Sequence, residues 1–181
     1  MLNDLFQEAW KSLNTALSEN EHAFKNCSLA TQNEKSGVKQ RIVILRGITA
    51  NNNLLFYTDL RANKIKQLKE NSKSSALFYD PKNKLQVIFN GIVHIHTDSE
   101  QWEINRNNID GNAVNNYNSF MAPGKPIKDP FSIKRTKKIH FGVLEFVPKR
   151  IEILKLRTDY NHLRARFRLV DGEWKKTYLV P

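Results

Sequence analysis

The chain begins with apolar residues spaced three or four positions apart and continues with short runs rich in β-branched and aromatic residues. The first pattern predicts an amphipathic helix over residues 4–17, with Asn3 or Asp4 as its cap. Two shorter helices are predicted at 62–70 and 99–106. The later runs predict strands at 23–30, 41–45, 54–58, 75–79, 85–95, 140–146, 150–155, 162–169 and 174–180. Strands therefore dominate the chain.

Turn-forming residues separate these runs. Asn51–Asn53 and Asp80–Asn83 each predict a tight connection between two neighbouring strands. A polar loop is predicted over 31–40, and the Asn-, Gly- and Pro-rich stretch 110–130 is expected to be a long irregular segment whose role the sequence leaves open. Because the strands follow one another in hairpins, with few helices and no internal repeat, the sequence predicts a small antiparallel barrel of the mainly β (α+β) class. The strand at 41–45 is expected to be buried.

Length and composition narrow the class of protein. With 181 residues, of which 40% are hydrophobic, the chain is expected to be a single domain over residues 1–181 with a core of its own. No apolar run approaches the roughly 18 residues of a membrane-spanning helix, and the acidic start of the chain lacks a signal-peptide core. The single cysteine, Cys27, excludes an internal disulfide and a multi-cysteine zinc site, and is predicted to be a small core residue. A cytoplasmic protein is expected.

The formal net charge of +11 is compatible with a nucleic-acid partner, an anionic small molecule or a solvated basic surface. The charges are spread over the whole chain, with local pairs such as Lys137–Lys138 and Lys175–Lys176. No RNA-recognition motif, zinc finger or helix-turn-helix pattern accompanies them. Nucleic acid is therefore disfavoured as a partner, and the reason for the high positive charge stays open.

Cationic and hydroxyl side chains stand at the ends of the predicted strands. Arg41 opens one strand, Thr58 ends the next, and Lys64 enters the helix that follows. Guanidinium and ammonium groups bind phosphate oxygens through charge-assisted hydrogen bonds, and a helix N-terminus adds backbone donors. Each cation alone fits a solvated strand end. Together they predict a site where a phosphorylated ligand is held.

This order of residues resembles the pyridoxamine 5'-phosphate oxidase family. The shared pattern is an Arg-x-Val-x-Leu-(Lys/Arg) strand, here Arg41 to Arg46, then Tyr57–Thr58 at a strand end and a helix bearing Lys64. The resemblance implies a six-stranded antiparallel split β-barrel and a homodimer with FMN at the subunit interface. It also implies an FMN-dependent oxidoreductase in which the flavin carries the chemistry, so no catalytic side chain is assigned. The implied cofactor contacts are Arg41, Ile42, Val43, Arg46, Tyr57, Thr58, Asn63, Lys64, Gln86 and Arg166.

Gln86 and the C-terminal strands extend the resemblance. Gln86 lies in an apolar run where a buried amide needs partners. From the residues alone a structural glutamine and a ligand contact are equally supported, while the matching family glutamine contacts the flavin ring. The resemblance implies substrate contacts from His162 and Arg164. The family pair reads Arg-x-His and here the order is reversed, so a poor pyridoxine 5'-phosphate oxidase is expected.

At other positions the chain departs from the family pattern, and these departures reduce the number of cofactor contacts that the resemblance implies. Ala62 and Asn63 replace the usual Ser-Arg before the lysine, and Leu154 stands where a flavin-contacting Trp is common. A family Gln-Ser pair has only Asn118–Ser119 as candidates. The physiological substrate and the electron acceptor stay open.

Two other interpretations remain. A flavin reductase-like or deazaflavin-using split-barrel protein fits the same strands, and a basic nucleic-acid-binding barrel would use the same positive face and aromatic residues. His94 and His96 lie two apart on a predicted strand, as a metal-binding pair can. Because no third ligand is in view, surface or packing histidines are favoured and no metal site is predicted.

Overall fold

A computed structural model describes residues 1–34, 37–158 and 161–181. The helices are α1 (Leu2–Ser18), α2 (Asn63–Glu70) and α3 (Glu100–Asn107), with short 3-10 helices at Ala23–Lys25 and Gly111–Asn116. The strands are β1 (Asn26–Asn33), β2 (Gly37–Ile48), β3 (Leu54–Asp59), β4 (Lys73–Asp80), β5 (Leu85–His96), β6 (Phe141–Lys155), β7 (Leu163–Val170) and β8 (Glu173–Leu179). Within the described residues no helix is both long and apolar enough to cross a membrane.

In the described part of the chain, six strands close into a barrel. Their order is β3-β2-β1-β4-β5-β6, and pairing between β3 and β6 completes the ring. Neighbouring strands pair antiparallel throughout, and β7 and β8 extend the sheet beyond β6. The six-stranded antiparallel split barrel expected from the sequence is confirmed.

The barrel core is filled by alternate residues of the strands, because successive side chains of a strand point to opposite faces. Leu85, Val87 and Phe89 of β5 are buried, and the residues between them are partly exposed. Helix α1 packs its apolar stripe on this core, where the rings of Trp10 and Phe89 meet edge to face at 5.8 Å between centroids. Cys27 is fully buried as predicted, and burial raises the pKa of its thiol.

Strand β6 is the longest strand described and pairs with β3, β5 and β7. Its register against β5 shifts between Asn90 and Gly91, which face Arg150 and Pro148. A Cβ at Gly91 would lie 2.1 Å from the carbonyl oxygen of Val147. Only glycine fits where the two strands bend past each other at this bulge.

The three helices and the turns at 51–53 and 80–83 lie where the sequence predicts them. The start of the first strand is different. Residues 23–25 form a 3-10 helix because the His22 ring accepts a hydrogen bond from the backbone N–H of Phe24, and a local bond of this kind competes with strand pairing.

The predicted cap of α1 is wrong. The helix begins at Leu2 without a side-chain cap from Asn3 or Asp4. Asp4 instead pairs with the N-terminal ammonium group at 2.7 Å.

The predicted polar loop over 31–40 is wrong for most of its length. Strand β1 continues to Asn33 and β2 begins at Gly37. Lys35 and Ser36 lie outside the described residues. These polar residues continue the strands because the antiparallel ladder between β1 and β2 satisfies their backbone groups whatever their side chains.

Two further strand predictions change. The runs at 140–146 and 150–155 are parts of the single strand β6, since pairing with β5 continues on both sides of the bulge. The strand at 41–45, predicted to be buried, buries one face only. Val43 is in the core while Ile42 is 64% exposed.

Candidate functional site

Arg41 lies between β1 and α2, on the side of β2 that also buries Val43. Its guanidinium donates hydrogen bonds to the Leu29 carbonyl at 3.0 Å, the Thr31 hydroxyl at 2.7 Å and the Gln67 side-chain carbonyl at 3.2 Å. The Thr31 hydroxyl in turn donates to Gln67 at 2.7 Å. Burial lowers the pKa of Arg41. Neutral partners thus fix the guanidinium in place without compensating its charge.

Lys64 approaches Arg41 from the first turn of α2. Its ammonium group donates at 3.2 Å to the hydroxyl of Thr58, which is buried near the end of β3. Burial lowers the pKa of Lys64, and the positive charge of Arg41 lowers it further against an opposing effect of Asp59. Within the described residues, neither Arg41 nor Lys64 has a carboxylate within 4.0 Å. We call Arg41, Thr58 and Lys64 the cationic cluster.

The donors of the cationic cluster fit a phosphate group. Two partly desolvated cations without a carboxylate partner carry uncompensated charge, which an anionic ligand would stabilise. Helix α2 adds backbone N–H donors in its first turn, because its N-cap residue, Ala62, has no side chain that could bind them. The sequence predicts one site for these three residues. In the structure Lys64 binds Thr58, and Arg41 is near enough to Lys64 to lower its pKa.

Arg61 lies beside the cationic cluster but is committed to other partners. Its Nε and Nη2 bind the buried carboxylate of Asp59 at 3.0 and 2.6 Å. Nη2 also donates to the Ser119 hydroxyl at 3.2 Å, and Nη1 donates to the carbonyls of Ser119 and Phe120 at 2.8 and 3.3 Å. These bonds use all five N–H groups of the guanidinium. Arg61 is absent from the candidates found by sequence, where an Asp-x-Arg spacing after a strand is its signal.

Arg46 and Tyr57 lie on the opposite face of β2 and β3 from the cationic cluster. The guanidinium carbon of Arg46 is 5.4 Å from the centroid of the Tyr57 ring, within the range of a cation–π contact. The Tyr57 hydroxyl donates to the Asn105 side chain at 2.8 Å, and its ring packs edge-on against Phe141. Burial raises the pKa of Tyr57, and Arg46 opposes this shift. These two candidates therefore form a separate aromatic patch.

Gln86, Arg164 and Arg166 project from the outer face of the sheet, because they alternate with core-facing residues. Across the paired strands, Leu154 lies between Gln86 and Arg164, and Glu152 lies opposite Arg166. Arg164 donates to the Glu152 carboxylate at 3.2 Å. We call Gln86, Arg164 and Arg166 the outer strip. Within one chain the outer strip does not meet the cationic cluster, which faces the core.

A groove of about 860 Å³ crosses the outer face. Its cationic lining residues are Lys73, Lys149, Arg150, Arg166 and Arg168. In the described ranges, Arg150 alone among these five lies within 4.0 Å of a carboxylate, that of Glu152 at 3.6 Å. Among the described residues that line the groove there is no Asp or Glu. A concave surface with one sign of charge attracts anions.

The remaining candidates from sequence are Ile42, Val43, Asn63 and His162. Ile42 is on the outer face of β2, whereas Val43 belongs to the core. Asn63 is exposed at the first residue of α2, next to the cationic cluster. His162 is exposed, and its Nδ1 accepts a hydrogen bond from the backbone N–H of Arg157 at 3.1 Å.

His96 is held by its neighbours rather than paired with His94. Its Nε2 lies 2.7 Å from the Glu145 carboxylate, and its Nδ1 lies 2.9 Å from the Ser99 hydroxyl. His94 is exposed. Across residues 1–34, 37–158 and 161–181, no group of three His, Cys, Asp or Glu side chains is placed to hold a metal ion.

Comparison with protein families tests the resemblance independently. The family model for the pyridoxamine 5'-phosphate oxidase FMN-binding domain matches residues 7–97, just over half of the 181 residues. The chain belongs to the pyridoxamine 5'-phosphate oxidase family. FMN is the cofactor of the matched domain, and the donors of the cationic cluster suit its phosphate.

Curated relatives are similar to the chain over most of its length. A pyridoxine/pyridoxamine 5'-phosphate oxidase from Rhizobium leguminosarum bv. trifolii is 24% identical over 170 residues, which cover 85% of this chain and 81% of the relative. An oxidase of the same name from Rhizobium johnstonii has the same identity and coverage.

Solved structures share the fold. A pyridoxamine 5'-phosphate oxidase-related, FMN binding protein from Nostoc punctiforme superposes with a TM-score of 0.78 at 21% identity and covers 97% of both chains. PhzG from Burkholderia lata, solved with tetrahydrophenazine-1-carboxylic acid, also gives a TM-score of 0.78, at 19% identity over 97% of this chain and 92% of PhzG. These likenesses establish the split-barrel fold.

Proposed function

We propose that this chain is a single-domain, FMN-dependent oxidoreductase that works as a homodimer on an anionic small molecule. The observation that carries the proposal is the approach of two partly desolvated cations, Arg41 and Lys64, to which the described residues offer no carboxylate within 4.0 Å. Family membership names FMN as the ligand, and a phosphate dianion is the group that such a pair binds. The relatives named as oxidases support an oxidoreductase.

In this proposal each member of the cationic cluster has one task. The planar guanidinium of Arg41, already oriented by Thr31 and Gln67, would take two phosphate oxygens. Lys64 would add a point charge, and the Thr58 hydroxyl a directed hydrogen bond. When bound, FMN supplies the two-electron redox chemistry. The protein binds, orients and shields the reacting groups.

The homodimer follows from the separation of the cationic cluster and the outer strip. The outer strip holds the candidates for contact with the flavin ring, Gln86 and Arg166, and it faces away from the cluster of its own chain. A second copy related by a twofold axis can bring its strip to the first copy's cluster, and such dimers are the commonest closed assemblies. The outer face also leaves apolar surface for a partner to cover. Its exposed apolar residues on β2 and β4 include Val38, Ile42, Ile44 and Tyr79.

An anionic substrate follows from the groove on the outer face. Lys73, Lys149, Arg166 and Arg168 line it, and none of the four has a carboxylate within 4.0 Å among the residues described. Arg164, by contrast, is already bound to Glu152. The cations that are available to bind a substrate are therefore those that line the groove, Arg166 among them. This arrangement supports an anionic substrate that is bound in the groove rather than by Arg164.

The test is a flavin titration of the purified protein. Quenching of flavin fluorescence gives the affinity for FMN and for riboflavin, which lacks the phosphate. We expect a yellow protein that binds FMN at least about 10-fold more tightly, the effect of one hydrogen bond between charged groups. A protein that binds neither flavin would refute the proposal.

A further inference from the structure

Residues 118–136 form a loop that leaves the barrel and returns beside its own starting point. An antiparallel bridge joins Ser119 to Arg135, and the backbone N–H of Phe120 donates to the Lys134 carbonyl at 2.8 Å. Beyond this neck the loop exposes large apolar side chains rather than burying them. These are Phe120, Met121, Ile127, Phe131 and Ile133. The placement of the loop therefore depends on anchors outside it.

Arg61 anchors the neck of the loop to the connection between β3 and α2. One side of its guanidinium binds Asp59, which is 5% exposed at the end of β3. The other side binds the hydroxyl and carbonyl of Ser119 and the carbonyl of Phe120. The planar fork of an arginine can bridge a carboxylate and two carbonyls, whereas the ammonium of a lysine cannot match this geometry.

The anchored loop reaches the residue that precedes Lys64. A Cβ built on Gly124 would lie 3.7 Å from the side-chain nitrogen of Asn63. The Ser119 hydroxyl donates to the Met121 carbonyl at 2.8 Å, so its proton is already engaged within the loop. The loop thus lies against the first turn of α2, next to the cationic cluster, and Arg61 has no N–H group left for a ligand.

We propose that Arg61 is a positioning residue for the cofactor phosphate, which acts by holding the 118–136 loop against the cationic cluster. This role rests on the proposed FMN site. A loop held there excludes water from the phosphate and its cations, and electrostatic attraction strengthens as the surroundings become less polar. Loss of the anchor should weaken the binding of FMN, while riboflavin, which has no phosphate, should bind almost as before.

The test compares the wild-type protein with Arg61→Lys, which keeps the positive charge and removes the fork. Trypsin reports on the loop directly, since Lys128 lies within it and is followed by Asp129, whereas the bond after Lys125 is protected by Pro126. We expect faster cleavage after Lys128 in Arg61→Lys without ligand. We also expect the preference for FMN over riboflavin to fall by about 10-fold, because water admitted beside the phosphate weakens its attraction to Arg41 and Lys64.

Arg106→Lys is the matched control. Arg106 also caps a backbone carbonyl, that of Ile109 at 3.2 Å, but contacts neither Asp59 nor the loop neck. Its replacement should change neither cleavage within the loop nor the FMN preference. Asp59→Asn loosens the same anchor from its other side and serves as a second variant if Arg61→Lys does not fold. For this variant only the cleavage after Lys128 is compared, because Asp59 also acts electrostatically on Lys64.

Each result bears on one claim. If the wild-type protein does not distinguish FMN from riboflavin, the proposed phosphate site fails, and the role of Arg61 fails with it. If the wild type prefers FMN and Arg61→Lys keeps that preference, only the role of Arg61 is refuted. An equal loss for both flavins, or an equal effect of Arg106→Lys, would show a general structural defect and would likewise refute the positioning role.

Discussion

The cationic cluster and the outer strip are built in contrasting ways. Arg41, Thr58 and Lys64 come from consecutive elements, lie partly out of water and are oriented by neutral partners. Gln86 and Arg166 come from strands that are far apart in the sequence, and both lie on the outer face of the sheet. Within one chain the donors of the cationic cluster therefore converge on one region that suits an anion. The outer strip, in contrast, has no facing surface in the same chain with which it could enclose a ligand. A ligand that uses both must lie between two copies.

Dissociating the proposed homodimer should have the largest effect on FMN affinity. Ile44→Asp places a charge on the outer face of β2, and an unpaired charge in an interface costs roughly 2–5 kcal/mol. We expect the wild type to be a dimer and the variant to dissociate, with FMN affinity reduced at least about 30-fold. Light scattering and a flavin titration measure the two effects. Ile104→Asp, on exposed α3, is the control and should change neither.

A wild-type chain that is monomeric at micromolar concentration and still binds FMN would contradict this expectation. The cationic cluster would then suffice without the outer strip, and the contrast between the two regions would carry no functional meaning.

The substrate end of the outer strip can be tested with pyridoxine 5'-phosphate. Arg164 is bound to Glu152, and His162 accepts a backbone hydrogen bond, so neither is free as a substrate anchor. A single misplaced anchor can lower the rate about 100-fold. We expect the FMN-loaded protein to oxidise this compound more slowly than about 1 per second. Product formation at or above that rate would show that the reversed pair still grips the substrate.

Removing either cation of the cationic cluster should weaken FMN selectively. Arg41→Ala or Lys64→Ala deletes a charge-assisted hydrogen bond to phosphate, worth about 1.5–3 kcal/mol or roughly 10–100-fold in affinity. Riboflavin should bind with nearly unchanged affinity. Lys66→Ala, on the exposed side of the same helix, is the control. Parallel losses for FMN and riboflavin would mean that the cluster does not read the phosphate.

The smallest expected effect is on the ligand-free protein. Burial and Arg41 hold the pKa of Lys64 below its ordinary value of 10.5, so the folded chain binds this proton less well than the unfolded chain does. The buried charge of Lys64 therefore lowers the free energy of unfolding. This loss of stability is present in full at low pH and disappears as pH rises through the folded pKa. Lys64→Met should therefore raise the melting temperature at pH 7 by a few degrees at most, since about 1 kcal/mol corresponds to 2–4 °C.

The melting temperatures at pH 10 should differ less than those at pH 7. The advantage of Lys64→Met over the wild type should shrink there, because the wild-type lysine sheds its proton. An advantage that grows with pH would mean that Lys64 is stabilised as a cation in the ligand-free protein.

The cationic cluster could be predicted from the sequence because its geometry is local. Strand β2, the returning strand β3 of the hairpin and the helix after it bring Arg41, Thr58 and Lys64 into one region through short connections. The strands of the barrel were predicted for a similar reason, since apolar runs mark the faces that fill a core.

Distant pairing is what the sequence could not show. Arg61 binds Ser119, which belongs to a loop without a periodic sequence pattern. Nothing in the sequence around either residue therefore predicts this contact. The polar ends of β1 and β2 were assigned to a loop because their pairing depends on backbone groups, which every residue carries. The family resemblance implies the residues of the outer strip, but only the strand alternation in the folded sheet shows that they face away from the cationic cluster.

Strand β6 also determines when the strand edges of the newly synthesised chain stop being available for pairing with other chains. It closes two sheet edges at once, those of β3 and β5, yet it follows them along the chain. While the chain is synthesised, both edges stay open until Phe141–Lys155 emerges, and open edges pair readily with other chains. At about 5–20 residues per second, that exposure lasts several seconds. The irregular stretch between α3 and β6 thus lengthens the time for which the nascent barrel needs protection.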